Sequence, residues 1–376
     1  MFNIKGLSIT ALLIATATSA HADPTVTKVS VFATGGPVGG TAPDSVTIGD
    51  GSVWIEYGNN GVSTGGGASE IVRYGFNGAV QDKFSIAGLV DGLKFNPVTG
   101  MVFALQNNDG NSTLSLINPT TNSVSSPLSY ASPPYVYGPT SGRGYDDVAF
   151  LDGKVYLSYS NPVNPTDPVV QSLDQGNSPS GTLTTTDIIT AQDTNPLFIS
   201  SSQAPPDIDS LKSTWFGDLV LTSEGDPGLG PTTDGRYTLI SNPGAKNQKV
   251  TNVVVNDASG VNALKLDDVL FPSRSAGTLY VTDTGANTVY ALSLTGLDRN
   301  TPIVSIGDLG GVDEVATVNP VTGVVEQTLL TGVSVHGLDF VAAPEPSTWA
   351  MILLGFAGLG IAGRRASGRR AAVTAG

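Results

Sequence analysis

Apolar and polar residues alternate along most of the 376-residue chain, and no stretch between residues 23 and 343 keeps an apolar period of 3.6. Alternation with period two marks half-buried strands, so the body predicts as all-β. One short phrase recurs as Pro43-Asp44-Ser45-Val46-Thr47-Ile48, Val90-Asp91-Gly92-Leu93-Lys94-Phe95 and Tyr145-Asp146-Asp147-Val148-Ala149-Phe150. It returns as Ile208-Asp209-Ser210-Leu211-Lys212, Leu266-Asp267-Asp268-Val269-Leu270-Phe271 and Val335-His336-Gly337-Leu338-Asp339-Phe340. Each copy carries Asp, or His in the last, then a small or acidic residue, then apolar positions two apart. Second strands are expected at Val53–Tyr57, Met101–Leu105, Val155–Tyr159, Leu219–Thr222 and Leu279–Thr282. Third strands follow at Glu70–Phe76, Thr113–Ile117, Tyr237–Ile240 and Thr288–Leu294. Asp50-Gly51, Asn77-Gly78, Thr99-Gly100, Asp109-Gly110 and Asp152-Gly153 supply the turn residues between them.

Successive phrases lie 47, 55, 63, 58 and 69 residues apart. A four-stranded antiparallel blade takes about 40–50 residues plus loops, so each interval holds one blade of a β-propeller. Six blades are expected, with seven as the alternative if the long last interval holds an extra one; a pair of β-sandwiches is the rival architecture. Residues 25–33 read as a strand that completes the blade begun at the C-terminal end, which removes exposed sheet edges. The Asn161–Asn195 segment, rich in Pro, Ser, Thr and Asp, reads as a long insertion within blade three.

The two ends have a different pattern. Met1–Ala22 joins Lys5 to an apolar run from Leu7 to Ala17 and closes on Ala20-His21-Ala22. A basic start, a short apolar stretch and a small-x-small close read as a secretory signal peptide for the Sec route, cut between Ala22 and Asp23. At the other end, Pro344-Glu345-Pro346 precedes a charge-free helix over 348–363 and then Arg364, Arg365, Arg369 and Arg370, with 371–376 as a tail. Arginines after an apolar helix resist crossing and stop transfer. The helix is short against the roughly 20 residues of a full span, which suits a transient anchor. The propeller domain is therefore expected over 23–343 and the sorting segment over 344–370.

The sequence PEPSTWAMILLGFAGLGIAGRR resembles the PEP-CTERM sorting signal of Gram-negative bacteria, also called the ice-binding protein C-terminal motif, a label that does not imply ice binding. The resemblance implies an exosortase as processing partner, an inner-membrane-anchored precursor, and release or re-anchoring at the cell surface or outside it. It also implies exopolysaccharide or other surface components as company. Leu279-Tyr280-Val281-Thr282-Asp283-Thr284-Gly285-Ala286-Asn287-Thr288-Val289 resembles the YVTN propeller repeat, and the body is similar to NHL and gluconolactonase-like propellers.

Composition narrows the chemistry. The chain has no Cys, which excludes disulfides, zinc ribbons and thiol nucleophiles. Only 13% of residues are charged, about half the usual fraction of roughly 25%. Without the two ends the body carries 13 basic and 31 acidic residues, a net charge of −18, and a single histidine. Nucleic acid is excluded as a partner, because a polyanion meets a negative surface. Asp44, Asp91, Asp146, Asp209 and Asp267 gather at one mouth of the channel if the phrase is the innermost strand. Two readings stand for them: blade-to-blade hydrogen bonding to backbone N–H groups, which is favoured, or an oxygen-rich Ca²⁺ site. Asp147 and Asp268 read as solvated or channel-facing extras, and His336 as a hydrogen-bonded structural imidazole. A gluconolactonase-like metal site would need a Glu, for which Glu56 and Glu224 are the candidates, but its remaining ligands are not assignable. Tyr135, Tyr137, Tyr145 and Trp215 are candidates for a binding face. A non-enzymatic exported binding or matrix protein is the leading expectation; a metal-dependent lactonase-type hydrolase is the alternative.

Overall fold

The computed structural model describes residues 23–107, 110–131, 144–203, 206–225, 234–307 and 313–344. The chain opens with β1 (Thr25–Thr34). Blade one follows as β2 (Pro43–Gly49), β3 (Ser52–Tyr57), β4 (Ala68–Gly75) and β5 (Val80–Ala87). Blade two is β6 (Val90–Phe95), β7 (Val102–Gln106) and β8 (Thr113–Asn118), edged by the two-residue strands β9 (Ser123–Val124) and β10 (Leu128–Ser129), both paired with β8. Blade three is β11 (Tyr145–Leu151), β12 (Lys154–Tyr159), β13 (Pro168–Leu173) and β14 (Thr185–Thr190). Blade four is β15 (Ile208–Ser213), β16 (Asp218–Ser223), β17 (Arg236–Ser241) and β18 (Lys249–Val254). The only helix of α type among the described residues is one turn, Ala191–Thr194.

The last two blades interlock. The chain runs β19 (Lys265–Leu270), β20 (Ala276–Asp283), β21 (Thr288–Thr295), β22 (Ile303–Gly307), β23 (Glu314–Val318), β24 (Val325–Thr331) and β25 (Val335–Ala342). Blade five is ordered β19-β22-β23-β24, whereas blade six is β25-β20-β21-β1. Leu279–Thr282 and Thr288–Leu294 are thus strands of blade six, not the second and third strands of the Leu266 blade. The chain lays down the blade-six hairpin, returns to finish blade five, and only then inserts β25. This crossing accounts for the long last interval, and the ring has six blades. The expected closing strand is present as β1, paired antiparallel with β21 from Thr25–Thr295 to Thr34–Thr288.

The phrase strands β2, β6, β11, β15, β19 and β25 pack side by side around the channel. Apolar side chains form six clusters, one between each pair of neighbouring blades. Sandwiching buries both faces of a middle strand. In β3, Val53, Ile55 and Tyr57 pack toward blade six, while Trp54 stacks on Phe84 toward blade two. Truncating such a wholly buried aromatic costs about 3–5 kcal/mol. Hairpin turns use left-handed backbone where expected: Asp50 and Gly51 have φ of 50° and 66°, and Asp152 and Gly153 have 50° and 75°. Both residues of such a turn need positive φ, which Asp-Gly tolerates. The Asn161–Asn195 segment is not an insertion. It holds β13 and β14, the two outer strands of blade three, where Val169, Val170, Leu173 and Ile189 are buried despite the polar composition.

Candidate functional site

All six phrase strands start at the same end of the channel. Asp44, Asp91, Asp146, Asp209, Asp267 and His336 line one cavity of about 440 Å³ there, with Glu224 and Asp207 at its wall. The sequence places all five predicted Asp residues together, and His336 completes their ring. His336 Nδ1 lies 3.1 Å from Asp44 Oδ1 and 3.4 Å from Asp267 Oδ1, so it bridges carboxylates of its two neighbouring blades. Burial works against its charge, but Asp267 and Asp44 outweigh it and push the imidazole up to about 12. Burial would raise Asp44, yet the hydrogen bond and charge of His336 hold it below its ordinary value. Asp267 is raised to about 6, mainly by burial. Asp209 goes well up, through burial and then the fields of Asp267, Glu224, Asp146 and Asp91. Glu224 pairs with Lys265 at 2.9 Å.

Below the acid ring the channel is closed by a second tier of charges. Lys94 lies 3.5 Å from Asp147, and Lys212 pairs with Asp268. Of the two readings for Asp147 and Asp268, solvated or channel-facing, the second holds: both border the channel cavity while being only 8% and 4% exposed. These second acids accept cross-blade backbone bonds, from Leu211 N at 3.0 Å and Leu338 N at 2.6 Å. Asp339 does the same for Ile48 N at 2.8 Å. The far mouth beyond this plug is a smaller cavity of about 190 Å³ beside Ile48, Phe95 and Phe150.

A third repeated device holds the bulge in each phrase strand. In four blades a buried hydroxyl on the second strand accepts the N–H of the residue after the ring position: Ser158 from Asp147, Thr222 from Ser210, Ser305 from Asp268 and Thr282 from Gly337. Three of these hydroxyls also donate to the ring-residue carbonyl of the next blade, at Asp209, Asp267 and Asp44. By strand register the same place in blade two is Leu105 and in blade one Glu56. Glu56 has no exposed surface, and neither carboxyl oxygen has a hydrogen-bond partner among the described residues. Burial, then Asp44, holds its carboxyl well above the ordinary range. The hydroxyl of Ser69, which accepts from Val90 N, lies beside the Glu56 carboxyl and partly offsets that shift. The repeat comparison that isolates Glu56 needs strand register, which the sequence alone leaves open.

The other candidates separate. Tyr145 is not a surface aromatic: it is buried between Tyr130 and Tyr159, with its hydroxyl donating to Gln171. Trp215 is exposed, but it follows the far end of β15 and lies under Arg299, whose guanidinium carbon sits 3.5 Å from the ring centre. Tyr135, Tyr137, Ala22, Glu345, Pro346, Arg364, Arg365, Arg369 and Arg370 lie outside the described residues. Asp23 and Pro344 are described, both exposed. No three Asp, Glu or His side chains among the described residues converge closely enough to hold one metal ion, so the acid ring has Ca²⁺ donor chemistry without a chelating arrangement. Among the described residues no helix is long and apolar enough to cross a membrane, and the expected helix over 348–363 lies outside them.

A PEP-CTERM protein-sorting motif matches residues 342–366. The match begins in the last residue of β25, where Ala343 N still bonds Ala276 O at 2.9 Å. Ala342, where the match begins, ends the innermost strand that starts beside His336 at the acid ring. No curated protein matches the chain. Among solved structures it is similar to a protein of unknown function from Bacteroides caccae, at 13% identity over 80% of this chain and 87% of that one, with a TM-score of 0.46. It is also similar to the periplasmic gluconolactonase of Pseudomonas aeruginosa, at 12% identity over 80% and 89%, again with a TM-score of 0.46. The fold and the tag together define an exported six-bladed β-propeller that carries a PEP-CTERM sorting signal.

Proposed function

We propose that this protein is a non-enzymatic binding module, processed by an exosortase and displayed at the cell surface or outside it, and that the acid-ringed mouth is its ligand face. One observation carries the reading: a cavity of about 440 Å³, within the usual size of ligand sites, whose lining sets eight aspartates and Glu224 against Lys94, Lys212 and His336. Such a mouth selects cations and repels anions. Association with exopolysaccharide would then depend on positively charged groups on that partner.

The test titrates the full-length protein, purified in detergent, with putrescine, glucosamine and CaCl₂ by calorimetry. At least one cation is expected to bind, and Asp209→Asn with Asp267→Asn is expected to weaken it at least tenfold. Failure of every cation to bind overturns the reading. The alternative, a metal-dependent lactonase, requires unlike ligands including a Glu converged on one ion. Hydrolysis of gluconolactone that depends on an added divalent ion, and disappears in the same double variant, would establish it instead.

A further inference from the structure

Features repeated in every blade build the ring, so the position that departs from the repeat is the informative one. Where four blades bury a hydroxyl that ties off the strand bulge, blade one buries a carboxyl that ties off nothing. Ser45 takes over the cross-blade bond there, its hydroxyl donating to Asp91 O, so Glu56 is not needed to join blades one and two. A buried carboxyl without a partner costs stability, and a Ser or Thr would serve the fold better.

Glu56 sits directly behind the wall of the acid cavity. Gly58 and Leu89 form that wall between Asp44 and Asp91. A Cβ placed on Gly58 would lie 3.9 Å from Glu56 Oε1, 3.3 Å from Leu89 Cδ1 and 3.7 Å from the Ala42 carbonyl oxygen. Glu56 is not on the cavity surface; Gly58, which has no side chain, and the movable Leu89 side chain stand between its carboxyl and the cavity, so an approach opens only when Leu89 shifts. This arrangement suits a donor-rich cation. An ammonium has three N–H donors and no acceptor; the Ala42 carbonyl and an Asp of the ring offer acceptors, and Glu56, whose burial favours the protonated form, becomes a further acceptor when the incoming charge drives that proton off. A naked divalent ion would need several oxygens converging at about 2.4 Å, which these residues do not provide.

We infer that Glu56, reached past Gly58 between blades one and two, is the subsite that holds a primary ammonium group of the ligand. This rests on the mouth being the ligand face. The ammonium has two possible carriers, a free aliphatic amine and an amino sugar, and the probes separate them. The experiment titrates putrescine, glucosamine and CaCl₂ into the full-length protein and into Glu56→Thr, Glu56→Gln and Gly58→Ala. Glu56→Thr restores the hydroxyl of the other blades, so it is expected to fold and melt no lower than the parent chain. Both Glu56 variants are expected to bind ammonium at least tenfold more weakly. Gly58→Ala meets only a flexible side chain and is expected to fold while also weakening binding. Preference for putrescine assigns an aliphatic amine as the carrier, and preference for glucosamine assigns an amino sugar. If ammonium binding survives in Glu56→Thr but is lost in Asp209→Asn with Asp267→Asn, the Glu56 subsite is wrong and the mouth reading stands. If only Ca²⁺ binds, the ammonium assignment is overturned and the mouth reading stands. If nothing binds to the parent chain, both fall.

Discussion

At the scale of single residues, the channel separates two kinds of acid that are neighbours in sequence. Both border the cavity, but Asp267 pairs with His336 in the ring, whereas Asp268, one position on, accepts from Ser210 Oγ, Leu338 N and Val269 N while pairing with Lys212. Breaking a buried ion pair from one side leaves the other charge uncompensated and costs about 3–5 kcal/mol. Asp268→Ala is therefore expected to lower unfolding free energy by about that much in a denaturant titration. Adding Lys212→Met, which removes the stranded charge, should recover a large part of it, a coupling that a double-mutant cycle reads directly. Equal loss in the single and double variants would show that Asp268 acts through its backbone bonds alone. The sequence shows the Asp–Asp pairs plainly. Which acid joins the ring is fixed by the bulge that interrupts each phrase strand, visible as the register shift between Leu266 and Val269. Alternation alone does not reveal a bulge.

At the scale of strands, what made the fold legible was local and what misled was also local. The six phrases stand out because each innermost strand combines channel-facing polar residues with two packed apolar ones. The β20–β21 hairpin looks in sequence like an ordinary continuation of β19, because hairpins are local and their host blade is not. Only pairing to β25 and β1 shows where it belongs. Likewise the Pro, Ser and Thr of residues 161–195 hid β13 and β14, whose buried positions do not alternate: Val169 and Val170 are adjacent in β13, and β14 buries Ile189 alone. The pairing leads to a prediction about local stability. β21 lies between two long partners, the eight-residue β20 and the ten-residue β1, whereas β8 is edged only by the two-residue β9 and β10. Backbone bonds open more readily where a strand has less cover. Amide hydrogen exchange is expected to be faster in 113–118 than in 288–295, although both are third strands of their blades. Equal protection would mean that ring closure stabilises all blades alike, whatever their edges.

For the whole molecule, the charges of the acid ring set how stability depends on pH. A carboxyl raised on folding keeps its proton where the unfolded chain has lost it, so its contribution is full below the unfolded value and fades as pH rises through the folded one. Asp267 moves from 3.8 to about 6, and Asp209 and Glu56 are also raised well above their ordinary values, so this contribution fades as pH rises from about 4. His336 has the same sign but a later window: raised from 6.5 to about 12, its contribution is full below about pH 6.5 and is lost progressively as pH rises from there through 12. Asp44 opposes them. Lowered on folding, it contributes above 3.8 and loses that as pH falls through its folded value. The raised acids of the ring outnumber the lowered Asp44, so their combined contribution falls as pH rises from about 4 toward neutrality. The melting temperature of the full-length protein in detergent is expected to fall steadily from pH 4.5 toward pH 8, with Asp267→Asn flattening the fall. A bound ammonium supplies the charge that the lost protons no longer cancel, so a saturating cation should raise the melting temperature more at pH 8 than at pH 4.5. A melting temperature that rises between pH 4.5 and 8 would refute the idea that the acid ring is a store of uncompensated charge.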